Sequence, residues 1–265
     1  MPYKILYASD LHGNKDFYNK LIKKAKEPEI KAVIIGGDLC PKSSGTLDEA
    51  IQYQKEFLEN FFIMKLSKLK KDVFFIMGND DFRANEKVLI NNKTKNLKYI
   101  NKKRFDFFSK NIVGYSFVNP TPFRLKDWEK FEDEKKEMPQ QLFGYEVRTV
   151  QKEEGTIEED LKSFIKLSNP KKTIYVIHAP PFNTKLDIIA SGAHVGSKSI
   201  RAFIEKEQPY LTLHGHIHES PQMSGSFIDK IGKIACINVG SSYPENKLNC
   251  IIIDINNLDL KYMEL

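Results

Sequence analysis

Cysteine is scarce in this chain, and its three copies stand apart. Cys40, Cys236 and Cys250 form no Cys-x-x-Cys pair, so neither a disulfide framework nor a thiolate zinc module is indicated. They read as core residues in a reducing compartment, which sets the expectation of a cytoplasmic protein. Long apolar runs are missing too. No segment approaches the roughly 20 apolar residues that span a bilayer. The apolar start Ile5-Leu6-Tyr7-Ala8 soon meets Asp10, without the apolar core and cleavage site of a secretory leader. Nor is charge of one sign gathered anywhere. The 41 basic residues exceed the 35 acidic ones, for a formal charge of +6, yet Lys sits beside Glu or Asp along the chain. A nucleic-acid-binding protein concentrates positive charge on one face, so this pattern favours neither nucleic acid nor membrane as a partner. The mixed charges at 129–137 read as a solvated helix face.

What recurs is a short β-branched or aromatic run that stops abruptly at polar residues. Residues 4–9 run into Asp10-Leu11-His12, 32–35 into Gly36-Gly37-Asp38, and 73–77 into Gly78-Asn79-Asp80-Asp81. Residues 173–177 run into His178, and 210–213 into His214-Gly215-His216-Ile217-His218; 234–237 and 250–253 follow. Such runs are predicted strands, buried on both faces. Helices are predicted between them. In 15–26, Phe17, Leu21 and Ala25 recur every four residues behind Asn14 as N-cap. In 46–70, Ile51, Phe57, Leu58, Phe61, Phe62, Leu66 and Leu69 face the core, and Thr156-Ile157-Glu158-Glu159 is a capping box. The alternation gives an α/β layered fold, expected as a single domain over 1–265. At 101–150 the pattern weakens, and edge strands with a surface excursion are expected there.

The chemistry collects at the ends of the runs. In open α/β sheets the loops at the carboxyl ends of strands converge on one crevice, and Asp10, His12, Asp38, Asn79, His178, His216 and His218 all hold such positions. Each alone has an ordinary explanation, as a helix cap or a hydrogen-bonded histidine. Seven ligand-type groups at successive strand ends do not. In Asp10-x-His12 and His216-x-His218 a locally extended backbone would point alternate side chains the same way. Oxygen and imidazole donors suit Mn, Fe or Zn better than Mg. Seven donors exceed what one catalytic ion with an open position needs, and fit two ions sharing a carboxylate.

The ordered set Asp10-Leu11-His12, Gly37-Asp38, Gly78-Asn79-Asp80-Asp81, His178 and Gly215-His216-Ile217-His218 resembles the calcineurin-like metallophosphoesterase superfamily, over residues 8–218. The resemblance implies a four-layer α/β/β/α sandwich of two mixed sheets. It places Asp10, His12 and His218 on a first metal and Asn79, His178 and His216 on a second, with Asp38 bridging. Two cations roughly 3.5–4 Å apart would lower the pKa of a shared water to give hydroxide and clamp the phosphoryl oxygens for in-line attack. The segment 114–128 looks like the small prokaryotic Icc-like branch. There Pro120, Pro122, Phe123 and Trp128 are candidates for a wall beside the metals, or else core and turn residues.

One position departs from the pattern. Asp80 stands where the superfamily has a histidine that contacts phosphate and helps protonate the leaving group. This argues against a protein Ser/Thr phosphatase and leaves the general acid open between a protonated Asp80 and another group. His194, in the small-residue loop 191–199 before a predicted helix at 199–206, is the candidate for part of that role; the alternative is a solvent-facing histidine. His214 is assigned to packing or to support of a ligand. The expected activity is phosphodiester hydrolysis on a small substrate, nucleotides included. Phosphomonoester hydrolysis, a nuclease, and a non-catalytic metal-binding scaffold are the alternatives.

Overall fold

Twelve strands form among the described residues, which are 3–138 and 144–265 of a computed structural model. They are β1 (Lys4–Ala8), β2 (Ile30–Ile35), β3 (Asp72–Phe75), β4 (Leu97–Tyr99), β5 (Arg104–Phe107) and β6 (Lys110–Tyr115). β7 (Thr173–Ile177), β8 (Leu211–His214), β9 (Ile228–Ile231), β10 (Ile234–Asn238), β11 (Asn249–Asp254) and β12 (Asp259–Glu264) complete the set. They pair into two six-stranded sheets, ordered β12-β11-β1-β2-β3-β4 and β5-β6-β7-β8-β10-β9. Each sheet has four parallel strands, β1 to β4 in one and β6, β7, β8 and β10 in the other, with antiparallel strands added at the margins. Both sheets are therefore mixed, as the resemblance implied.

The strand period of two divides the apolar side chains between two layers. Ile5, Tyr7, Ile34, Phe74 and Ile76 of the first sheet meet Ile112, Ile174, Val176, Leu213 and Ile237 of the second in an apolar inter-sheet core. Their neighbours, Leu6, Val33 and Phe75 on one side and Tyr115, Tyr175 and Ile177 on the other, turn outward and pack under helices. Phe75 meets Phe62 edge-on at 5.0 Å between ring centres, and Tyr175 meets Phe203 at 5.1 Å. Each fully buried side chain of this kind stabilises the fold by about 1.5–3 kcal/mol.

The helices are α1 (Lys15–Ala25), α2 (Leu47–Phe57), α3 (Met64–Leu66), α4 (Glu86–Ile90), α5 (Ile157–Leu167), α6 (Lys198–Glu207) and α7 (Ser220–Ser224). Asn14 caps α1 by accepting from the Asp16 and Phe17 amides, and Thr156 and Glu159 form the expected capping box on α5. The helix predicted over 46–70 differs from expectation. It opens with a capping box of Thr46 and Glu49, then widens into a π-helical stretch, Leu58–Ile63, before α3. Leu58, Phe62 and Leu66 lie four apart, and such a row drifts by about 40° per step on a helix of 3.6 residues per turn. The wider turn keeps all three on the buried face.

Residues 101–150 also depart from expectation, and 139–143 within them lie outside the described residues. β5 is an edge strand, but β6 is interior, paired on both sides. Phe117, Val118, Asp127, Trp128, Glu129 and Lys130 are buried, while 134–138 and 144–146 are exposed. No helix forms at 129–138. Instead the Lys130 ammonium reaches Asp160 at 2.8 Å and Glu153 at 3.0 Å. Glu129 and Lys130 at the start of the charged run thus face inward, whereas Glu134 to Glu137 are exposed, as a solvated face would be.

Candidate metal centre

All seven predicted donors lie in the loops just beyond β1, β2, β3, β7 and β8. The adjacency β1-β2-β3 in one sheet and β7-β8 in the other brings these loops together at one end of the sandwich. Backbone bonds stitch them: the Asp10 amide donates to Gly37 O at 3.1 Å and the His12 amide to Asp38 O at 2.9 Å. The local geometry is not the extended backbone that the spacing implied. Asp10, His12, Asp38 and His216 take positive φ, at 58°, 44°, 49° and 68°. Left-handed non-glycine residues cost about 1–3 kcal/mol each and cluster at functional sites. Four in one centre mark it as built for placement of side chains. Glycines leave the room. A Cβ on Gly78 would lie 2.3 Å from Asp38 Oδ1 and 2.6 Å from His178 Nε2, and one on Gly215 would lie 2.4 Å from Asp10 Oδ2.

Asp38 is the hub. Its Oδ2 lies 3.4 Å from His178 Nε2 and 3.8 Å from His12 Nε2, and its Oδ1 accepts from the Asp80 amide at 2.8 Å. On one side, Asp10, His12, Asp38 and His218 offer donor atoms that all lie within 4.8 Å of one another. His12 Nε2 and His218 Nε2 face each other at 3.0 Å, and Asp10 Oδ1 is 3.4 Å from His218 Nε2. On the other, His178 Nε2 is 3.1 Å from Asn79 Oδ1, and the His216 ring centre is 5.4 Å from that of His178. His178 Nδ1 bonds to Gly36 O at 2.8 Å; as an N–H donor there, it turns Nε2 toward Asp38 and Asn79.

These residues fit divalent cations. Two imidazole nitrogens aimed at one another beside two buried carboxylates make a poor hydrogen-bonding arrangement and a good ligand set. The buried His12 Nδ1 has no hydrogen-bond partner. Burial would raise the Asp38 carboxyl, but the neighbouring His178 and His12 outweigh it and hold it far below the usual range. Burial likewise opposes charge on His178, yet Asp38 and Asp10 raise it to about 9. Burial and the His178 charge push His216 down to about 3. Burial alone would raise Asp10, and the His218 bond with the His218 and His178 charges brings it below its ordinary value. A proton on His178 thus balances the hub carboxylate where a metal ion would otherwise do so.

The centre opens into a cleft of about 760 Å³, whose lining includes Asp38, Asn79, Asp80, His216 and His218. Asp80 reaches it, with Oδ2 at 3.6 Å from His12 Nδ1. His194 is not among the lining residues; its Nδ1 binds Asp187 Oδ1 at 2.7 Å. Of the candidate wall, Phe123 lines the cleft, whereas Trp128 is fully buried and donates from Nε1 to Asp81 O at 2.8 Å. His214 is buried against the Ile177 and Ala179 carbonyls and Thr212, a packing role in which burial lowers its pKa to about 4.

Three contributors escaped the sequence reading. Asp81, quoted in the motif but given no role, is buried and accepts from the Gly78, Leu39 and Cys40 amides at 2.9, 3.0 and 2.8 Å. It ties the loop of Asn79 to the loop of Asp38. Burial and the Asp38 charge raise its carboxyl to about 7. Gln54 and Lys42 carry no sequence signal, since α2 and the 41–46 loop reach the cleft only through the fold.

The fold and donor set define a metallophosphatase-type protein, and comparison with known proteins agrees. The sequence model of the calcineurin-like phosphoesterases matches residues 3–220, and the chain belongs to that family. It is 39% identical over 109 residues to the uncharacterized protein MJ1162 of Methanocaldococcus jannaschii, across 38% of this chain and 48% of that one. The chain thus spans about half the length of the curated relative it matches. The structure of TT1561 from Thermus thermophilus superposes with a TM-score of 0.66 at 15% identity, over 100% of this chain and 99% of that one. A dimetal phosphatase from Danio rerio, LOC 393393, gives 0.61 at 12% identity, over 95% and 93%. At these identities the two structures share the fold. No helix among the described residues is long and apolar enough to cross a membrane.

Proposed function

We propose that the chain hydrolyses phosphodiesters of small, nucleotide-sized compounds at a dinuclear centre. Asp10, His12 and His218 hold one ion, Asn79, His178 and His216 hold the other, and Asp38 is shared. The observation that carries this reading is the Asp38 carboxylate, within 3.8 Å of His12 Nε2 and 3.4 Å of His178 Nε2. The donors favour Mn, Fe or Zn over Mg. When bound, such ions supply activation of water and neutralisation of phosphoryl charge.

The chain's own groups do the rest. Asp38 stays ionised because His178 and His12 hold its pKa down. His178 is oriented through Gly36 O, and Asp10 accepts the His216 amide at 3.0 Å, fixing the start of the His216–His218 loop. The cleft volume falls in the range of small-molecule sites, about 300–1,000 Å³. Phe82, Phe123, Leu125, Val147 and Ile189 give it an apolar wall, which suits an organic substituent on each side of the phosphorus better than a bare monoester.

The test is hydrolysis of an aryl phosphodiester and the matching monoester by metal-stripped protein reloaded separately with Mn, Fe, Zn and Mg. The expected result is metal-dependent cleavage that prefers the diester and disappears in Asp38→Asn. Equal or faster monoester cleavage would replace the diester assignment. Two bound ions with no turnover of either ester would favour a scaffold.

A further inference from the structure

At the mouth of the cleft a second charged element stands beside the metal donors. Lys42 Nζ lies 2.8 Å from Asp80 Oδ2, and both residues line the cleft together with Asp38, Asn79, His216 and His218. The Lys42 side chain is 71% exposed, so a ligand in the cleft can reach it. A carboxylate here would by itself repel an anionic ester; the ammonium offsets it and retains further N–H donors.

The pair is held by more than its own attraction. Gln54, 2% exposed on α2, donates from Nε2 to Asp80 O at 2.9 Å and to Pro41 O at 3.3 Å, and accepts the Phe82 amide at 2.8 Å. One buried amide thus joins the backbone next to Lys42 to the backbone of Asp80. The Asp80 amide in turn binds Asp38 Oδ1 at 2.8 Å, which registers the pair against the hub. The other lysine-type or arginine cation among the described lining residues, Arg124, sits over the Tyr145 ring at 4.0 Å.

We infer that Lys42 is a phosphate-contacting residue of this site, with Asp80 positioning it and Gln54 fixing both. The inference rests on the phosphoesterase reading for its substrate, but anion binding tests it separately. The experiment measures the Kd of inorganic phosphate by calorimetry, its competitive Ki, KM and kcat for an aryl diester, and bound metal by elemental analysis. The proteins are metal-loaded wild type, Lys42→Ala, Lys42→Arg, Asp80→Asn and the Lys42→Ala/Asp80→Asn double variant. Lys42→Ala is expected to raise Ki and KM about tenfold or more, the scale of a lost charge-assisted hydrogen bond, with metal content unchanged. Lys42→Arg restores most of the loss. In the Asp80→Asn background the same Lys42→Ala change costs less than about threefold, because Asp80 no longer holds the ammonium in place against the phosphate.

Unchanged phosphate Ki in Lys42→Ala, or an equal loss in both backgrounds, overturns the inference while leaving the phosphoesterase reading intact. A wild-type protein that cleaves no ester yet binds phosphate through Lys42 removes that reading and keeps the contact. Absence of phosphate binding by the wild type overturns the contact, and absence of both phosphate binding and ester cleavage overturns the phosphoesterase reading as well.

Discussion

The floor and the rim of the cleft are built on different terms. On the floor, Asp10, Asp38 and His178 are at most 1% exposed, and their loops are stitched by backbone bonds and cleared by glycines. The rim is assembled from short pieces far apart in the chain, among them Lys42, Phe82, Leu125 and Ile189, and it includes side chains as open as Phe123, at 47%. Groups on the floor cannot move without disturbing one another, so it suits an invariant task such as fixing ions. The rim can change one side chain at a time, and substrate choice belongs there. If that division holds, floor substitutions should remove metal and activity together, and rim substitutions should alter substrate handling while leaving the metal.

The largest effect is expected at Gly78. An added methyl would lie inside contact distance of Asp38 Oδ1 and His178 Nε2, so Gly78→Ala should displace two donors at once. Bound metal should fall below detection by elemental analysis, and ester hydrolysis should drop by more than about 100-fold. Full metal content in Gly78→Ala would show that the floor is not rigid and would break the comparison.

Asp81 comes next, because it joins two floor loops without touching the candidate ions. Asp81→Asn keeps the shape but turns one acceptor into a donor facing the Gly78, Leu39 and Cys40 amides. Metal affinity should weaken by about 10- to 100-fold, and unfolding should become easier by about 1–3 kcal/mol. Competition with a chelator and denaturant melts would separate the two. A loss of stability with undiminished metal affinity would make Asp81 a fold residue only.

A smaller effect concerns protons. His178 is raised to about 9, so near pH 7 it carries a proton that a bound cation must displace. Metal affinity should therefore rise with pH, by about tenfold per unit for this one group, and level off above 9. Calorimetry of Zn binding in two buffers of different ionisation enthalpy should show net proton release near neutrality. The sign for the metal-free fold is the reverse. A raised histidine stabilises below its unfolded pKa, about 6.5, and that contribution fades as pH climbs through 9.

How legible this was in the sequence follows the same division. The floor's side chains are sequence-local to strand ends, so apolar runs ending in Asp, Asn or His pointed to them as a group. The runs also gave the layered α/β class, and the ordered motif set gave the two mixed sheets. What stayed hidden depends on contacts across long separations. Trp128 and Phe123 share one segment and read alike, yet one is sealed against Asp81 and the other faces the cleft. His194 sat in a loop of the right composition but is bound to Asp187. The left-handed backbone at Asp10 and His12 was invisible because L-residues take it only when surrounding bonds compel them.

The smallest predicted effect is at Phe123, and it discriminates most finely between floor and rim. If the apolar wall receives an organic substituent of the ester, Phe123→Ala should raise KM for an aryl diester by about three- to tenfold, the scale of partly burying one ring. Bound metal should not change, and kcat should hold within about twofold, because a contact formed equally in ground and transition states affects KM alone. The effect should shrink for a dialkyl diester, which offers less surface to the ring. A fall in kcat with constant KM would instead place Phe123 in contact with the reacting group, and the boundary between floor and rim would then have to be drawn further out.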